Sequence, residues 1–215
     1  MKNILLLALG LLFAGTVSAQ RNIYGPLSDY NSTNFYEPKV GFEASVNVSN
    51  SIGNSSSNFN TGSLTGLTAG LTFELPVVYP FSLQAEALYS QKGYSAETPN
   101  GNFTQRTQYI DVPLLAKFKV AGLVNFYLGP QVSFLAATSN SFSAGFNESN
   151  KQFYASTNVD KTNLDAVVGF GFDVSRTIDI HAKYTIDLNQ SNANGNLYVP
   201  GYSNQVLQLG LGFKF

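Results

Sequence analysis

The chain has 215 residues, of which 44% are hydrophobic, 13% aromatic and only 12% charged, with a formal net charge of -1. That balance gives no electrostatic reason to expect nucleic acid as a partner. Cysteine is absent, which excludes disulfides, thiolate metal sites, cysteine nucleophiles and a lipidated N-terminal cysteine.

Residues 1–19 read as a secretory signal peptide. Lys2 is the positive start, residues 4–13 the apolar core, and Val17-Ser18-Ala19 a small-residue cleavage site before Gln20. The apolar core is roughly ten residues, about half what a bilayer-spanning helix needs. Cleavage near Ala19 leaves about 196 residues, enough for one barrel domain. Residues 20–38 are polar and aromatic without clear periodicity and read as a periplasmic N-terminal extension. Residues 39–215 are expected to form the remaining domain.

From Val40 onward, stretches of roughly ten residues alternate apolar and polar, as strands with two unlike faces do. The first sets Val40, Phe42, Ala44, Val46 and Val48 against Gly41, Glu43, Ser45 and Asn47. The second sets Leu67, Ala69, Leu71, Phe73 and Leu75 against Thr68, Gly70, Thr72 and Glu74. The third carries Leu83, Ala85, Ala87 and Tyr89 opposite Gln84, Glu86 and Ser90, with Leu88 on the polar side. The fourth has Ile110, Val112, Leu114, Ala116 and Phe118 against Tyr109, Asp111, Lys117 and Lys119.

In the fifth, Leu128, Val132, Phe134 and Ala136 oppose Tyr127, Gly129, Gln131 and Ser133; in the sixth, Leu164, Ala166, Val168, Phe170 and Phe172 oppose Asp165, Gly169, Gly171 and Asp173. The seventh is cleanest, with Ile178, Ile180, Ala182, Tyr184, Ile186 and Leu188 against Asp179, His181, Lys183, Thr185, Asp187 and Asn189. The eighth places Leu207, Leu209, Leu211, Phe213 and Phe215 opposite Gln208, Gly210, Gly212 and Lys214. Pro113 and Pro130 fall inside strands and predict a bulge or a locally broken pairing at each.

The connectors alternate too. Short ones follow the even segments, and long ones rich in Ser, Asn, Gly and Thr follow the odd ones, as periplasmic turns and extracellular loops do in an outer-membrane barrel. The expected fold is therefore all-β: an eight-stranded antiparallel up-and-down transmembrane β-barrel. Alternation alone does not say which wall faces out, and a soluble lipocalin-type barrel would put the apolar wall inside. Glycines on the polar wall suit a crowded interior. Its mixed charges, Glu43, Glu74, Glu86, Asp111, Lys117, Lys119, Asp165, Asp173, Asp179, His181, Lys183, Asp187 and Lys214, can pair there as a structural network.

The stretches LQAEALYSQKG (residues 83–93), YIDVPLLAKFK (109–119) and FYLGPQVSF (126–134) resemble the PorT-type outer-membrane β-barrel family of Bacteroidota-like bacteria. The likeness covers the mature barrel and rests on strand pattern with Glu86, Pro113 and Gly129-Pro130 as its firmest points. It implies an eight-stranded barrel. One branch of the family serves protein secretion linked to gliding, and nothing in this sequence selects that branch.

His181 is the one histidine. As a catalytic base it needs a nucleophile and an orienting carboxylate; lumen serines such as Ser45 and Ser133 are ordinary barrel lining, so the expectation is a structural residue and no enzyme. One histidine among scattered carboxylates lacks metal-ligand spacing, and no metal or cofactor is expected. The Asn-x-Ser/Thr triplets at Asn31, Asn47, Asn54, Asn102 and Asn147 read as chance matches.

The resulting expectation is an integral protein of the cell outer membrane with a side-chain-plugged lumen and a structural or surface-interaction role. The long connector at about residues 137–162 would form most of the interaction surface. Partners are outer-membrane lipid, the insertion machinery during assembly, and surface or secretion-system proteins, with no nucleic acid. Phe213 and Phe215 are the expected assembly signal. A gliding-linked secretion component, a small-solute channel and a lipid-acting barrel enzyme are the alternatives.

Overall fold

The computed structural model describes residues 37–53, 61–98, 101–144, 147–154, 162–189 and 202–215. The expected signal peptide, residues 1–19, and residues 20–36 of the expected N-terminal extension lie outside them. The strands are β1 (Lys39–Gly53), β2 (Thr61–Val78), β3 (Phe81–Thr98), β4 (Gly101–Val120), β5 (Val124–Ala144), β6 (Asn147–Tyr154), β7 (Thr162–Asp173), β8 (Ile178–Asp187) and β9 (Tyr202–Lys214). Eight of them close a barrel in the order β1-β2-β3-β4-β5-β7-β8-β9, with β9 pairing back onto β1 and every neighbour antiparallel. Closure leaves no unpaired edge in the wall.

The polar parity faces inward. Leu209 is 60% exposed while its neighbour Gln208 is 5% exposed. The same contrast runs along every barrel strand, so the apolar belt is on the outside, opposite to a lipocalin-type barrel. On β4 the outward apolar run from Ile110 to Val120 covers ten residue steps. At about 3.3 Å per residue and a tilt of about 40°, that is roughly 25 Å, the height of a membrane band.

Two expectations change. Most strands are longer than ten residues, with β5 reaching 21, while β8 keeps to ten. The connectors after β3 and β5 are largely β-ribbon rather than loop: β3 and β4 stay paired out to Thr98 and Gly101, and residues 137–144 of β5 pair with β4 and with β6. Past the membrane a ribbon needs no apolar face, so Ser, Thr and Asn can keep the ladder going without apolar alternation.

The prolines break pairing without a bulge. Pairing of β3 with β4 skips Pro113, that of β4 with β5 skips Pro130, and the register on either side is unchanged. The nearby shift lies at Gln108/Tyr109, where Ala136 is the extra residue.

At the short-turn end the chain terminus is tied in: Phe215 N donates to Val40 O at 2.8 Å, and Lys214 N to Thr177 O at 2.8 Å. The turn after β4 uses positive φ at Ala121 (50°) and Gly122 (74°), a conformation that glycine adopts without penalty.

Candidate functional site

Among the described residues, ionisable side chains concentrate in the lumen. Inward parity carries the charged residues of the barrel strands into it, Arg106 on β4 excepted, and three tiers of ion pairs result.

Nearest the short turns, Lys117 on β4 bonds Glu74 on β2 at 2.6 Å, and Ser82 donates to the same carboxylate at 2.9 Å. Lys119 pairs with Asp173 on β7. Lys214 on β9 bridges Asp173 at 3.0 Å and Asp179 at 2.9 Å, and Asn125 donates to Asp173 at 2.9 Å. No carboxylate of this tier is left with a single partner.

At mid-height, Lys183 on β8 bonds Glu43 on β1 at 2.9 Å and Glu86 on β3 at 2.6 Å. Gln84 donates to Glu86 at 2.6 Å. His181 Nδ1 lies 3.0 Å from Asp179, and its Nε2 is 3.7 Å from Glu43 without a hydrogen-bond partner. The imidazole lies over Gly210: a Cβ built there would sit 2.6 Å from Nε2 and 2.6 Å from Ser45 Cβ. Gly212 makes the same room for Asp179, whose carboxylate a Cβ there would meet. The two glycines of β9 are thus seats for β8 side chains laid flat across them.

Toward the long-loop end, Lys92 pairs with Asp111 at 3.1 Å and Asp165 at 3.7 Å. Gln131 and Ser133 donate to Asp165 as well. Asp187 is held by the backbone and side-chain N–H groups of Asn204 at 2.9 and 2.7 Å.

Twelve of the thirteen ionisable residues singled out from sequence are buried in this lumen, and Lys214 is half-buried at its short-turn mouth. Phe213 and Phe215 lie outside it, where Phe213 stacks on Phe42 at 4.7 Å and Phe215 approaches the same ring at 6.1 Å.

Sequence reasoning missed Lys92. Its parity is that of Glu86 and Ser90, so extending the third segment by two residues would have found it. Also missed was the role of Tyr109 and Tyr127, whose rings lie under lumen cations: Lys92 stands 4.8 Å over Tyr109, and Lys117 5.6 Å over Tyr127. Such contacts add to ion pairing where water is excluded. Asn47 of the Asn-x-Ser/Thr triplets is a lumen residue donating to Thr68, out of reach of any glycan.

Asp179, His181 and Ser45 stand in the order of a hydrolase triad, yet Ser45 Oγ and His181 Nε2 each lack a hydrogen-bond partner and both residues are buried. Among the described residues no three carboxylates or imidazoles converge as metal ligands would.

Residues 18–192 match the family described as outer membrane protein beta-barrel domain. Among solved structures, the chain is similar to Neisserial surface protein A, at 16% identity and TM-score 0.50, covering 82% of this chain and 97% of that one. It is similar as well to Ail, the attachment invasion locus protein of Yersinia pestis, at 14% identity and TM-score 0.50, covering 82% and 98%. At these identities the likeness is one of fold. No curated protein matches the sequence.

Proposed function

We propose that this chain, which belongs to the outer membrane protein beta-barrel domain family, is an integral outer-membrane protein whose lumen is plugged by its own side chains and whose role is structural or surface-interacting. The observation that carries this is the Lys183 crossbar, which ties β8 to β1 and to β3 through the middle of the lumen. Eight strands leave an interior just wide enough for side chains to fill, and tyrosines and amides occupy the space between the charged tiers. His181 belongs to the same network, and we read it as a positioning residue for Asp179 and Glu43 rather than a catalytic base.

Planar-bilayer recording on purified protein tests the reading. Plugging predicts no steady large conductance, and a stable nanosiemens-scale opening of the unmodified protein would put transport first.

The motifs at 83–93, 109–119 and 126–134 favour a second reading, a PorT-type barrel that engages a secretion-system protein. Crosslinking on intact cells tests it: repeated recovery of a secretion component supports it, and recovery of lipid and insertion machinery alone removes it.

A further inference from the structure

The seam between β2 and β3 slips by one residue. Ser63 pairs with Tyr94 and Thr68 with Ser90, and residues 64–67 have no paired residue on β3. From inside, β1 stitches the gap. Ser49 Oγ reaches Leu64 O at 3.1 Å and Gly93 O at 2.8 Å and accepts from Gly93 N at 2.9 Å, while Asn47 Nδ2 donates to Gln91 O at 3.2 Å. At this seam lies a cleft of about 50 Å³, lined in part by Gly66, Gln91, Arg106 and Gln108 and floored by the ion-paired Lys92.

Arg106 has the outward parity of β4. Among the residues whose side chains are described it is the one exposed lysine or arginine, and it joins no ion pair among them. Its height is set by the apolar belt. Tyr89 and Ile110 are directly paired and are the last outward apolar residues of β3 and β4 before Gln91 and Gln108, which pair above them. Arg106 is the next outward residue of β4, about 13 Å along the strand from Ile110. Its long stem can bend back over the cleft and keep the guanidinium at headgroup level. A free cation beside two amides, immediately above an apolar surface, suits a ligand with an anionic head and hydrocarbon below. A planar guanidinium binds phosphate through two parallel bonds.

We propose that this cleft seats the phosphate of an outer-leaflet glycolipid, with Arg106 as its charged partner, the Gln91 and Gln108 amides as further donors, and acyl chains lying on Leu67, Tyr89 and Ile110. The inference rests on the outer-membrane location and not on the plugged lumen, so a conductance measurement does not decide it.

The test is native mass spectrometry of the purified barrel with phosphorylated lipid A, with dephosphorylated lipid A, and with excess inorganic phosphate as competitor. Expected are retention of the phosphorylated lipid, a loss of about tenfold in apparent affinity for Arg106→Gln, as removal of a charged hydrogen-bond partner gives, and partial recovery for Arg106→Lys. Equal retention by Arg106→Gln, or of the dephosphorylated lipid, overturns the proposal. So does displacement by inorganic phosphate at equal concentration, which would mark a free-anion site. Arg106 joins no ion pair among the described residues, so heat-modifiable gel mobility should be unchanged in both variants, and that is read on the same samples.

Discussion

Lys183 Nζ lies 2.6 and 2.7 Å from the two carboxylate oxygens of Glu86, although their strands, β8 and β3, stand four steps apart around an eight-stranded ring. The bond therefore spans the diameter of the barrel, and Glu43 on β1 holds the same ammonium from a third direction. Two carboxylates around one cation is a costly arrangement to desolvate, and it persists because the ammonium bonds both carboxylates and Gln84 donates to Glu86 as well.

Removing this crossbar should therefore be expensive. Lys183→Ala leaves Glu43 and Glu86 facing each other in a dry interior, and a loss of about 3–5 kcal/mol is expected. Urea titration in lipid measures it. Lys183→Met combined with Glu43→Gln and Glu86→Gln should cost clearly less, since no charge is then stranded; an equal cost would mean that the charges themselves are not what matters.

The two faces of β9 should respond oppositely to the same substitution. Leu209→Arg places a cation against lipid near mid-band, with an expected loss of about 2–4 kcal/mol. Gln208→Arg enters a lumen lined with carboxylates and should cost less unless it clashes. A larger loss for Gln208→Arg in the same titration contradicts the outward placement of the apolar parity.

Gly210→Val should push against His181. The new Cβ would meet Nε2 and Ser45 Cβ at 2.6 Å, and overpacking of this kind costs about 1–3 kcal/mol. The second substitution His181→Ala should recover part of that loss by removing one of the two clashes, the contact with Ser45 Cβ remaining. If the double variant is as unstable as the sum of the singles, the glycine is needed for the strand backbone instead.

Deleting Phe215 should reduce the folded, heat-modifiable species in outer membranes, because the terminal aromatic is expected to be read by the insertion machinery. Phe42→Ala, which removes the ring that Phe213 stacks on, separates packing from signalling. Assembly yield should fall with the deletion and stay near normal with Phe42→Ala. Equal yields for both variants leave packing as the whole role of the terminal residue.

Parity alone was enough to place most of the lumen. A side chain's face depends only on whether its number is odd or even within a strand, so Glu43, Asp111 or Lys183 could be assigned inward from local sequence. The same rule outlined the eight barrel strands, because each must show lipid an apolar face over one band height. It faltered where that demand stops. Lys92 was lost because Leu88 interrupts the pattern below it, and the ribbons beyond Thr107 and Ala137 were read as loops because water imposes no apolar face on them. Which charges meet was decided only by the closed barrel. Lys183 and Glu86 are 97 residues apart, and Lys183 and Glu43 140. Partners at such distances are chosen by strand order and by the stagger of neighbouring strands, which is a property of closure and not of any segment. The slipped β2–β3 seam and its cleft arise in the same way, from the pairing of two strands whose register differs by one residue on the two sides of residues 64–67.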